Sequence, residues 1–310
     1  MAFRRHHRQV VTSDKMNFSS ESSLFGTSRG QIDKIFQRRE EVLCPLCKIK
    51  PSRFAVDFQG FTLARCSSCQ LEFQNPRPVF SDLASAIYTE DYHGPRESII
   101  DTSRHYQFKR QLGWFERYAV SGDRRILDVG CGAGAFIRFA RNYGWRIDGT
   151  DVIVHANART KGTKIWKGQL PDIVFGESLY DVVRFNHVLE HTQDPLSELC
   201  RARSLLTKGG VLHVGVPNLA GFSITLKSWQ SYLGIKKQRW KHYGAIHHLW
   251  FFTPSTLRRL VVAAGFEVIG FETPVVPRSG RPKYITSAIR GSLEALHLGG
   301  VIDLFARKSS

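Results

Sequence analysis

The sequence has no uninterrupted apolar run that approaches about 18 residues, and this excludes a conventional membrane-spanning helix. Acidic residues are also scarce, with 27 Asp and Glu against 44 Lys and Arg, so the formal net charge is +17. A surplus of this size favours an anionic partner, which could be nucleic acid, an anionic membrane surface or a substrate that carries phosphates. Charge alone does not choose among the three.

The length of 310 residues favours one large domain with a small appended unit. Residues 1–41 are rich in Arg, Ser and His and poor in periodic apolar positions, which predicts a mobile basic arm. The same composition leaves a transit peptide open, and Met16 could be the true start. Within the arm, residues from Gln31 to Glu41 are expected to form a short helix with a solvated charged face.

Four of the six cysteines form two matched pairs that are separated by 18 residues. They are Cys44, Cys47, Cys66 and Cys69. This C-x2-C-x18-C-x2-C spacing is typical of a zinc site in which each pair forms a tight turn and supplies two thiolates. We therefore predict a zinc ribbon over residues 42–78, with a hairpin in the stretch from Phe54 to Leu63 and a purely structural metal. No secretion signal is recognised, which disfavours disulfides, and two matched pairs disfavour a redox function.

A helical lead-in is predicted for residues 79–123, which are dense in aromatic side chains. The aromatic residues that mark it are Tyr88, Tyr92, Tyr106, Phe108, Trp114, Phe115 and Tyr118. Helices placed before the first strand of a domain could cover a bound ligand. The alternative is that these aromatic rings simply pack in the core.

A strand, a tight turn and a helix are predicted in succession around the stretch from Ile126 to Ala135. The apolar run ends at Val129, and glycines follow at alternate positions: Gly130, Gly132 and Gly134. Glycine suits a turn where a ligand must lie against bare backbone at the start of a helix. This pattern predicts a nucleotide-type site. Because Asp151 lies close to 20 residues downstream, a dinucleotide site stays open as one interpretation.

From Arg125 the sequence alternates between strand and helix patterns, which predicts a parallel sheet covered on both faces. The predicted strands are Ile126 to Val129, Arg146 to Thr150, Ile165 to Lys167, Tyr180 to Phe185 and Val211 to Val216. Asp194 and Pro195 look like the start of a helix that ends near Lys208.

Asp128, the three glycines and the block from Phe185 to His191 together resemble class I S-adenosylmethionine (SAM) dependent methyltransferases. The resemblance implies an α/β, Rossmann-like fold with a seven-stranded sheet over residues 124–310. Its last two strands would be Phe266 to Phe271 and Val301 to Ala306, with the final strand inserted antiparallel.

The same resemblance implies the cofactor contacts. Asp128, Gly130 and Gly132 would shape the methionine end of the pocket, together with Gly134. Asp151 would accept hydrogen bonds from the ribose hydroxyls, which suits a carboxylate. Where the family often has an acid that binds adenine, this chain offers Gln169 or Asp172. Asn186, at the end of the fourth strand, is a further predicted contact.

The loop after the fourth strand carries the predicted catalytic residues. In methyltransferases that resemble this chain, this loop lies beside the sulfonium and the acceptor, so His191 could serve as a general base. His187, Glu190 and His191 also match the letters of the zinc-protease signature H-x-x-E-H. That signature needs a helix interior, whereas this block leaves a strand. A purely positioning role for the histidines stays open.

Residues 219–252 form an insertion that is dense in Lys, Arg, Trp and Tyr. At the carboxyl end of the sheet it would cover the acceptor site, and an amphipathic helix with Trp229, Leu233 and Trp240 near one face is a possible membrane contact. The run His247-His248-Leu-Trp-Phe-Phe-Thr-Pro, the ribbon and the Asn-Pro-Arg-Pro segment resemble a bacterial methyltransferase group associated with polysaccharide and glycolipid biosynthesis. His247 is therefore the second candidate for the base.

These observations predict a methyltransferase that uses SAM and structural zinc, with a hydroxyl of a sugar or lipid-linked saccharide as the acceptor. Two alternatives stay open: an RNA methyltransferase, which the charge favours, and a non-catalytic binding module. The expected location is cytoplasmic, with attachment to an anionic membrane surface as an open addition.

Overall fold

A computed structural model describes residues 27–88, 99–119, 123–176, 179–275 and 290–308. The first element is helix α1 (Arg29–Ile35), followed by a two-residue strand β1 (Arg39–Glu40). The helix predicted from Gln31 to Glu41 therefore starts and ends too late, because the chain turns into a short strand that pairs with Arg77 and Pro78. The remainder of the predicted basic arm, residues 1–26, and Met16 with it, lies outside the described residues.

The cysteine-bearing segment forms a small antiparallel sheet. Its strands are β2 (Ser52–Val56), β3 (Thr62–Arg65) and β4 (Glu72–Gln74), and β5 (Arg77–Pro78) follows to pair with β1. The predicted hairpin is confirmed: β2 pairs with β3, and the Asp57 carboxylate holds the connecting turn by accepting bonds from Gln59 N and Phe61 N, both at 2.9 Å. The fourth strand of this sheet comes from far along the chain, and it is described below.

Two helices lead into the large sheet, as predicted for this region. They are α2 (Phe80–Ile87) and α3 (Thr102–Tyr118). Of the aromatic side chains on α3, Phe108 and Phe115 are buried, and Trp114 stacks on Phe305 with ring centroids 4.3 Å apart. Tyr92 lies outside the described residues. The aromatics of α3 therefore pack in the core, whereas Tyr88, just after α2, lines the main pocket.

The large sheet has seven strands in the order β12-β13-β10-β9-β6-β7-β8. Its strands are β6 (Arg125–Val129), β7 (Arg146–Asp151), β8 (Ile165–Lys167), β9 (Tyr180–Asn186), β10 (Leu206–Pro217), β12 (Phe266–Glu272) and β13 (Val301–Lys308). The pairs from β8 to β10 are parallel, and β13 lies antiparallel between β10 and β12. The predicted seven strands and the antiparallel final strand are confirmed.

Helices cover the faces of this sheet, so its central strands are buried on both sides. They are α4 (Ala135–Arg141), α5 (Pro195–Leu205) and α7 (Pro254–Ala263), whereas α6 (Phe222–Tyr232) belongs to the insertion and buries only Ser231. The Asp194 carboxylate caps α5 by accepting bonds from Leu196 N and Ser197 N, as the Asp-Pro pair predicts. The end predicted for this helix, near Lys208, is wrong: Leu206 already pairs with Tyr180 and opens β10.

The insertion contains α6, a short 3-10 turn (Lys241–Tyr243) and strand β11 (Trp250–Phe251). β11 pairs with β4 and completes the small sheet in the order β11-β4-β3-β2, so the insertion ties the cysteine-bearing segment to the large domain. Trp240 does not share a helical face with Trp229 and Leu233, contrary to prediction, because it lies beyond α6 with φ of 61° and its ring is buried. Among the described residues, no helix is both long enough and apolar enough to cross a membrane.

Candidate active site

The glycine loop joins β6 to α4. Gly130, Gly132 and Gly134 all have positive φ, at 65°, 51° and 73°. A Cβ on Gly134 would lie 2.8 Å from the Cα atom of Ala158, so a side chain there would be both strained and obstructed. The chain thus leaves the strand and enters a helix within five residues, with bare backbone at the turn.

The main pocket opens where the parallel strands β6, β7, β8 and β9 end at their carboxyl ends. Its lining includes Phe80, Tyr88, Gly130, Asp151, Gly168, Gln169, Leu170, His187, His191 and Glu198. The structure therefore brings Gly130, Asp151, Gln169 and His191 to one cavity, as the sequence predicts. This is the position at which open α/β sheets bind ligands.

Asp151 ends β7 and is almost fully buried at the floor of the pocket. Its Oδ2 accepts a bond from Gly132 N at 2.8 Å, and its Oδ1 accepts one from Ile153 N at 3.0 Å. The carboxylate is thereby fixed in orientation by the glycine loop. A carboxylate can accept hydrogen bonds from two adjacent hydroxyls, which suits a ligand that carries a ribose.

One wall of the pocket is formed by Gln169, in the loop after β8, and by Glu198, a residue that the sequence did not indicate. Asp172 is not part of this lining. Glu198 lies on α5 and is 3% exposed, and its Oε2 has no hydrogen-bond partner within the described ranges. Burial, followed by the negative charge of Asp172, raises its pKa to about 8, so the carboxyl is protonated at neutral pH. No local pattern marks it, because its burial depends on the distant loop at Leu170.

Asp128 does not line the pocket. It lies beneath the glycine loop, where its Oδ1 accepts a 2.6 Å bond from Arg184 Nη1, and both side chains are buried. Gln111 accepts from Arg184 Nε at 3.0 Å and donates to Asn186 Oδ1 at 2.9 Å. Asn186 is likewise outside the lining. The two predicted contacts therefore belong to a buried polar network that supports the loop from below.

Gly132, Gly134 and His247 also lie outside the residues that line the pocket. Gly132 nevertheless acts on it through its N–H, which holds Asp151. Gly134 caps α4. His247 lies behind His191, with the two ring centroids 5.1 Å apart.

His191 is placed for proton transfer. Its Nδ1 lies 3.0 Å from the backbone oxygen of His247, and because a carbonyl only accepts, Nδ1 carries the proton. The lone pair is therefore on Nε2. Burial lowers the pKa of His191, which keeps the ring neutral at pH 7.

Two further histidines stand behind this ring. One ring nitrogen from each of His191, His247 and His248 lies within 4.8 Å of the other two. Burial and the neighbouring imidazoles lower the pKa of His247 well below its usual value and that of His248 to about 4. Burial thus favours the neutral form of all three rings, although the charge of Glu190 opposes it at His191 and His248.

Glu190 supplies the negative charge of the site. Its carboxylate is 1% exposed, with Oε1 3.5 Å from His187 Nδ1 and 3.8 Å from His191 Nε2. Burial alone would raise its pKa, but the histidines lower it to about 2. The segment Leu189–His191 is a single 3-10 turn and not the helix interior that H-x-x-E-H requires.

The four cysteines of the small sheet lie together. Their sulfurs are within 4.8 Å of one another, and Cys44 Sγ lies 3.5 Å from Cys69 Sγ, far longer than a disulfide bond. Both pairs form the same turn, closed by a bond from Lys48 N to Cys44 O and by one from Gln70 N to Cys66 O. Four convergent thiols on two matched turns fit the ligand set of a tetrahedral metal ion.

Hydrogen bonds from β4, β5 and β11 hold the two segments that carry the histidines, which are the loop after β9 and the segment at His247 and His248. Gln74 Nε2 donates to His248 O at 2.8 Å, and Arg77 Nη1 donates to Gln193 O at 2.9 Å. From β11, Trp250 Nε1 donates to Thr192 O at 2.8 Å. The loop that carries His191 is therefore anchored by Trp250 of the cysteine-bearing sheet and by Arg77 of β5, while Gln74 holds the neighbouring segment at His248.

Comparisons with known proteins agree with this geometry. The family described as a methyltransferase domain matches residues 103–270. The ubiquinone biosynthesis O-methyltransferase of Vibrio cholerae is 26% identical over 194 residues, which cover 59% of this chain and 74% of that protein. The protein of the same name from Ruegeria pomeroyi is 27% identical over 205 residues, 59% of this chain and 79% of that protein.

Solved structures show the same fold. The 1,6-didemethyltoxoflavin-N1-methyltransferase of Burkholderia thailandensis, solved with S-adenosylhomocysteine, has a TM-score of 0.52 at 15% identity and covers 84% of this chain and 100% of its own. Phosphoethanolamine N-methyltransferase 2 of Haemonchus contortus has a TM-score of 0.51 at 15% identity, with 77% and 63% covered. At this identity the likeness concerns the fold alone.

Proposed function

The chain belongs to the methyltransferase-domain family and is a SAM-dependent methyltransferase, and on that premise we propose that its acceptor atom is a hydroxyl oxygen. The observation that carries the proposal is His191: a neutral imidazole in the pocket wall, with its proton fixed on Nδ1 and its lone pair on Nε2. A hydroxyl needs such a base, because it must lose its proton as its oxygen forms the new bond. The relatives named as O-methyltransferases also support this choice.

Asp151 and the glycine loop would hold the cofactor, which supplies an electrophilic methyl group on a sulfonium. Asp151 would accept from the ribose hydroxyls, and Gly130 would let the methionine part lie against backbone. Gln169 and the protonated Glu198 would face the adenine, the first as donor or acceptor and the second as a donor. Arg184, through Asp128, would keep the loop rigid, and fixed alignment of the two reacting centres is a large part of such catalysis.

His191 would accept the hydroxyl proton at Nε2 while the carbonyl of His247 keeps the ring oriented. The Glu190 carboxylate, 3.8 Å from Nε2, would then stabilise the resulting imidazolium. His247 would act as a support for His191 and not as a second base, since the pocket lining does not include it.

The acceptor we favour is a hydroxyl on a sugar or a lipid-linked saccharide. The support comes from the sequence: the ribbon, the Asn-Pro-Arg-Pro segment and the His247-His248 block resemble methyltransferases of polysaccharide and glycolipid biosynthesis. A second candidate is an aromatic hydroxyl of a ubiquinone precursor, which the names of the relatives favour. RNA is a third, suggested by the net charge of +17. Membership in an enzyme family leaves the non-catalytic alternative without support.

We also propose that the four cysteines bind one zinc ion as thiolates. A four-cysteine site is closed, so zinc would act on structure and would take no part in methyl transfer.

The test is a transfer assay that follows S-adenosylhomocysteine with lipid-linked saccharides, a ubiquinone precursor and RNA as acceptors. We expect one of the hydroxyl acceptors to be methylated, and His191→Gln to reduce kcat by about 100-fold or more. His105→Gln, an exposed histidine outside the pocket, is the matched control. Methylation of nitrogen or carbon only, or an unchanged kcat in His191→Gln, would contradict the proposal.

Metal dependence supplies a second check. An ion could reach all three nitrogens of His191, His247 and His248, in which case Nε2 of His191 would not be free to act as a base. We expect methyl transfer to continue in the presence of a chelator that does not remove zinc from the four cysteines. Loss of transfer under that condition would overturn the assignment of the base.

A further inference from the structure

We propose that helix α6 and the basic segment after it, residues 222–241, dock the enzyme on an anionic lipid bilayer. This inference is independent of the acceptor proposed above. It rests on an apolar helix face that the fold leaves uncovered and on a local charge that only an anionic partner would complement.

Four large apolar side chains follow one another along α6 at intervals of four, three and four residues. They are Phe222, Leu226, Trp229 and Leu233. At 100° per residue these positions fall within a narrow stripe of the helix, and each side chain is 51 to 62% exposed. Tyr232 and Ile235 extend the exposed surface at the end of the helix. Amphipathic helices with Trp and Leu on one face lie in the interface of a bilayer.

The charged residues that flank this stripe in the sequence are all basic. From residue 199 to residue 266 the sequence contains no Asp or Glu. The insertion itself carries five basic residues: Lys227, Lys236, Lys237, Arg239 and Lys241. Burial, and then the charges of Lys236 and Lys227, lower the pKa of His242 to about 4, which reflects the positive local field.

The stripe is fixed to the active-site loop and not carried on a loose arm. Gly221 N donates to Asn218 O at 3.0 Å, at the end of β10, and Phe222 N donates to Leu298 O at 2.9 Å. At the other end, Ser231 Oγ accepts from Trp240 N at 3.1 Å, and the chain then runs within seven residues to His247, beside His191. A bilayer on α6 would thus lie near the loop that faces the acceptor.

A bilayer explains both features, whereas other partners explain one each. A second copy of this chain would cover the apolar stripe but would bring the same positive charge against it. A nucleic acid would neutralise the lysines but would not bury the exposed Leu and Phe side chains. An anionic lipid surface accepts apolar side chains below its headgroups and attracts lysines at the same time.

The experiment is co-sedimentation of the full chain with vesicles of phosphatidylcholine containing phosphatidylglycerol, compared with pure phosphatidylcholine. We expect binding to the anionic vesicles, weakened by salt. Leu226→Ser combined with Trp229→Ser should weaken binding by about tenfold or more, since it removes apolar surface. Lys236→Gln combined with Lys237→Gln should weaken it by about 30-fold.

Matched controls come from exposed residues elsewhere. Val174→Ser with Leu179→Ser removes apolar surface, and Lys161→Gln with Lys208→Gln removes two charges, and all four residues are exposed. Both control variants should bind vesicles as the wild type does. Circular dichroism and SAM affinity, unchanged in the α6 variants, would establish that they remain folded.

Several results would overturn the proposal. One is equal binding to both kinds of vesicle, or none. Another is a dimer in solution that Leu226→Ser with Trp229→Ser dissociates, and a third is RNA that competes for the lysines while vesicles do not bind. If the protein bound vesicles but methylated no hydroxyl, the docking surface would be supported. Only the proposed acceptor chemistry would be refuted.

Discussion

His191 is the proposed general base, and its environment would then set the pH range of activity. Burial lowers its pKa below the ordinary histidine value of 6.5, so the neutral form, which can accept a proton, persists into mildly acidic solution. We expect the acid limb of kcat/KM to be centred below pH 6.5, as the ring becomes charged. A pH profile with a hydroxyl acceptor measures this, and an acid limb centred above pH 6.5 would contradict the assignment.

The burial of Glu198 leads to a separate prediction about how the free energy of unfolding depends on pH. Its pKa in the folded state is about 8, against an ordinary value of 4.5, because burial disfavours the charged form. The folded state therefore holds a proton that the unfolded chain releases, and stability should fall as pH rises from about 4.5 to about 8. Glu198→Gln keeps the shape and removes the titration. The free energy of unfolding of wild type relative to Glu198→Gln should drop by on the order of 4 kcal/mol across this window.

Urea unfolding of both proteins at several pH values checks this expectation. A difference between them that stays constant from pH 5 to pH 8.5 would show that Glu198 is not held neutral. SAM affinity measured in parallel would separate an effect on folding from an effect on the pocket that this carboxyl lines.

At the scale of elements, hydrogen bonds connect the small cysteine-bearing sheet to the segments that carry the histidines. Its strand β4 pairs with β11, Gln74 holds the backbone at His248, and Trp250 of β11 holds the loop that carries His191 at Thr192 O. If zinc holds this sheet together, removing zinc should release the loop and lower transfer more than it lowers SAM binding. Cys66→Ser should behave in the same way, whereas Cys200→Ser, an exposed cysteine outside the cluster, should be silent.

Metal analysis together with transfer and SAM titration on the same samples measures this coupling. We expect one zinc per chain in wild type and in Cys200→Ser. A metal-free protein that transfers methyl groups at the full rate would show that the sheet does not support the loop.

At the scale of the whole molecule, local patterns predicted the large sheet well. Continuous apolar runs, the alternate glycines and the Asp-Pro helix start are properties of neighbouring residues, and each is confirmed in place. The resemblance to methyltransferases added the antiparallel position of β13, which no local pattern encodes. The helix ends near Ile35 and Leu205 were misplaced, because pairing with distant strands ends both helices.

What the sequence could not show depends on contacts between distant residues. Arg184 reads as one charged residue in an apolar strand, and only the folded chain places it against Asp128, 56 residues away. Glu198 becomes a pocket residue because the loop at Leu170 folds over it. β11 joins a sheet whose other strands lie far earlier in the chain. The residues that support the site could therefore not be predicted from the sequence, whereas its glycine loop and its histidines could.

The central claim is that the pocket at Gly130 and Asp151 binds SAM, and calorimetric titration tests it most directly. We expect one SAM per chain and no binding of a nicotinamide dinucleotide, with Asp151→Ala weakening SAM by about tenfold or more, since charge-assisted hydrogen bonds to the ribose are lost. Binding of the dinucleotide in place of SAM, or SAM binding that Asp151→Ala leaves unchanged, would contradict the account.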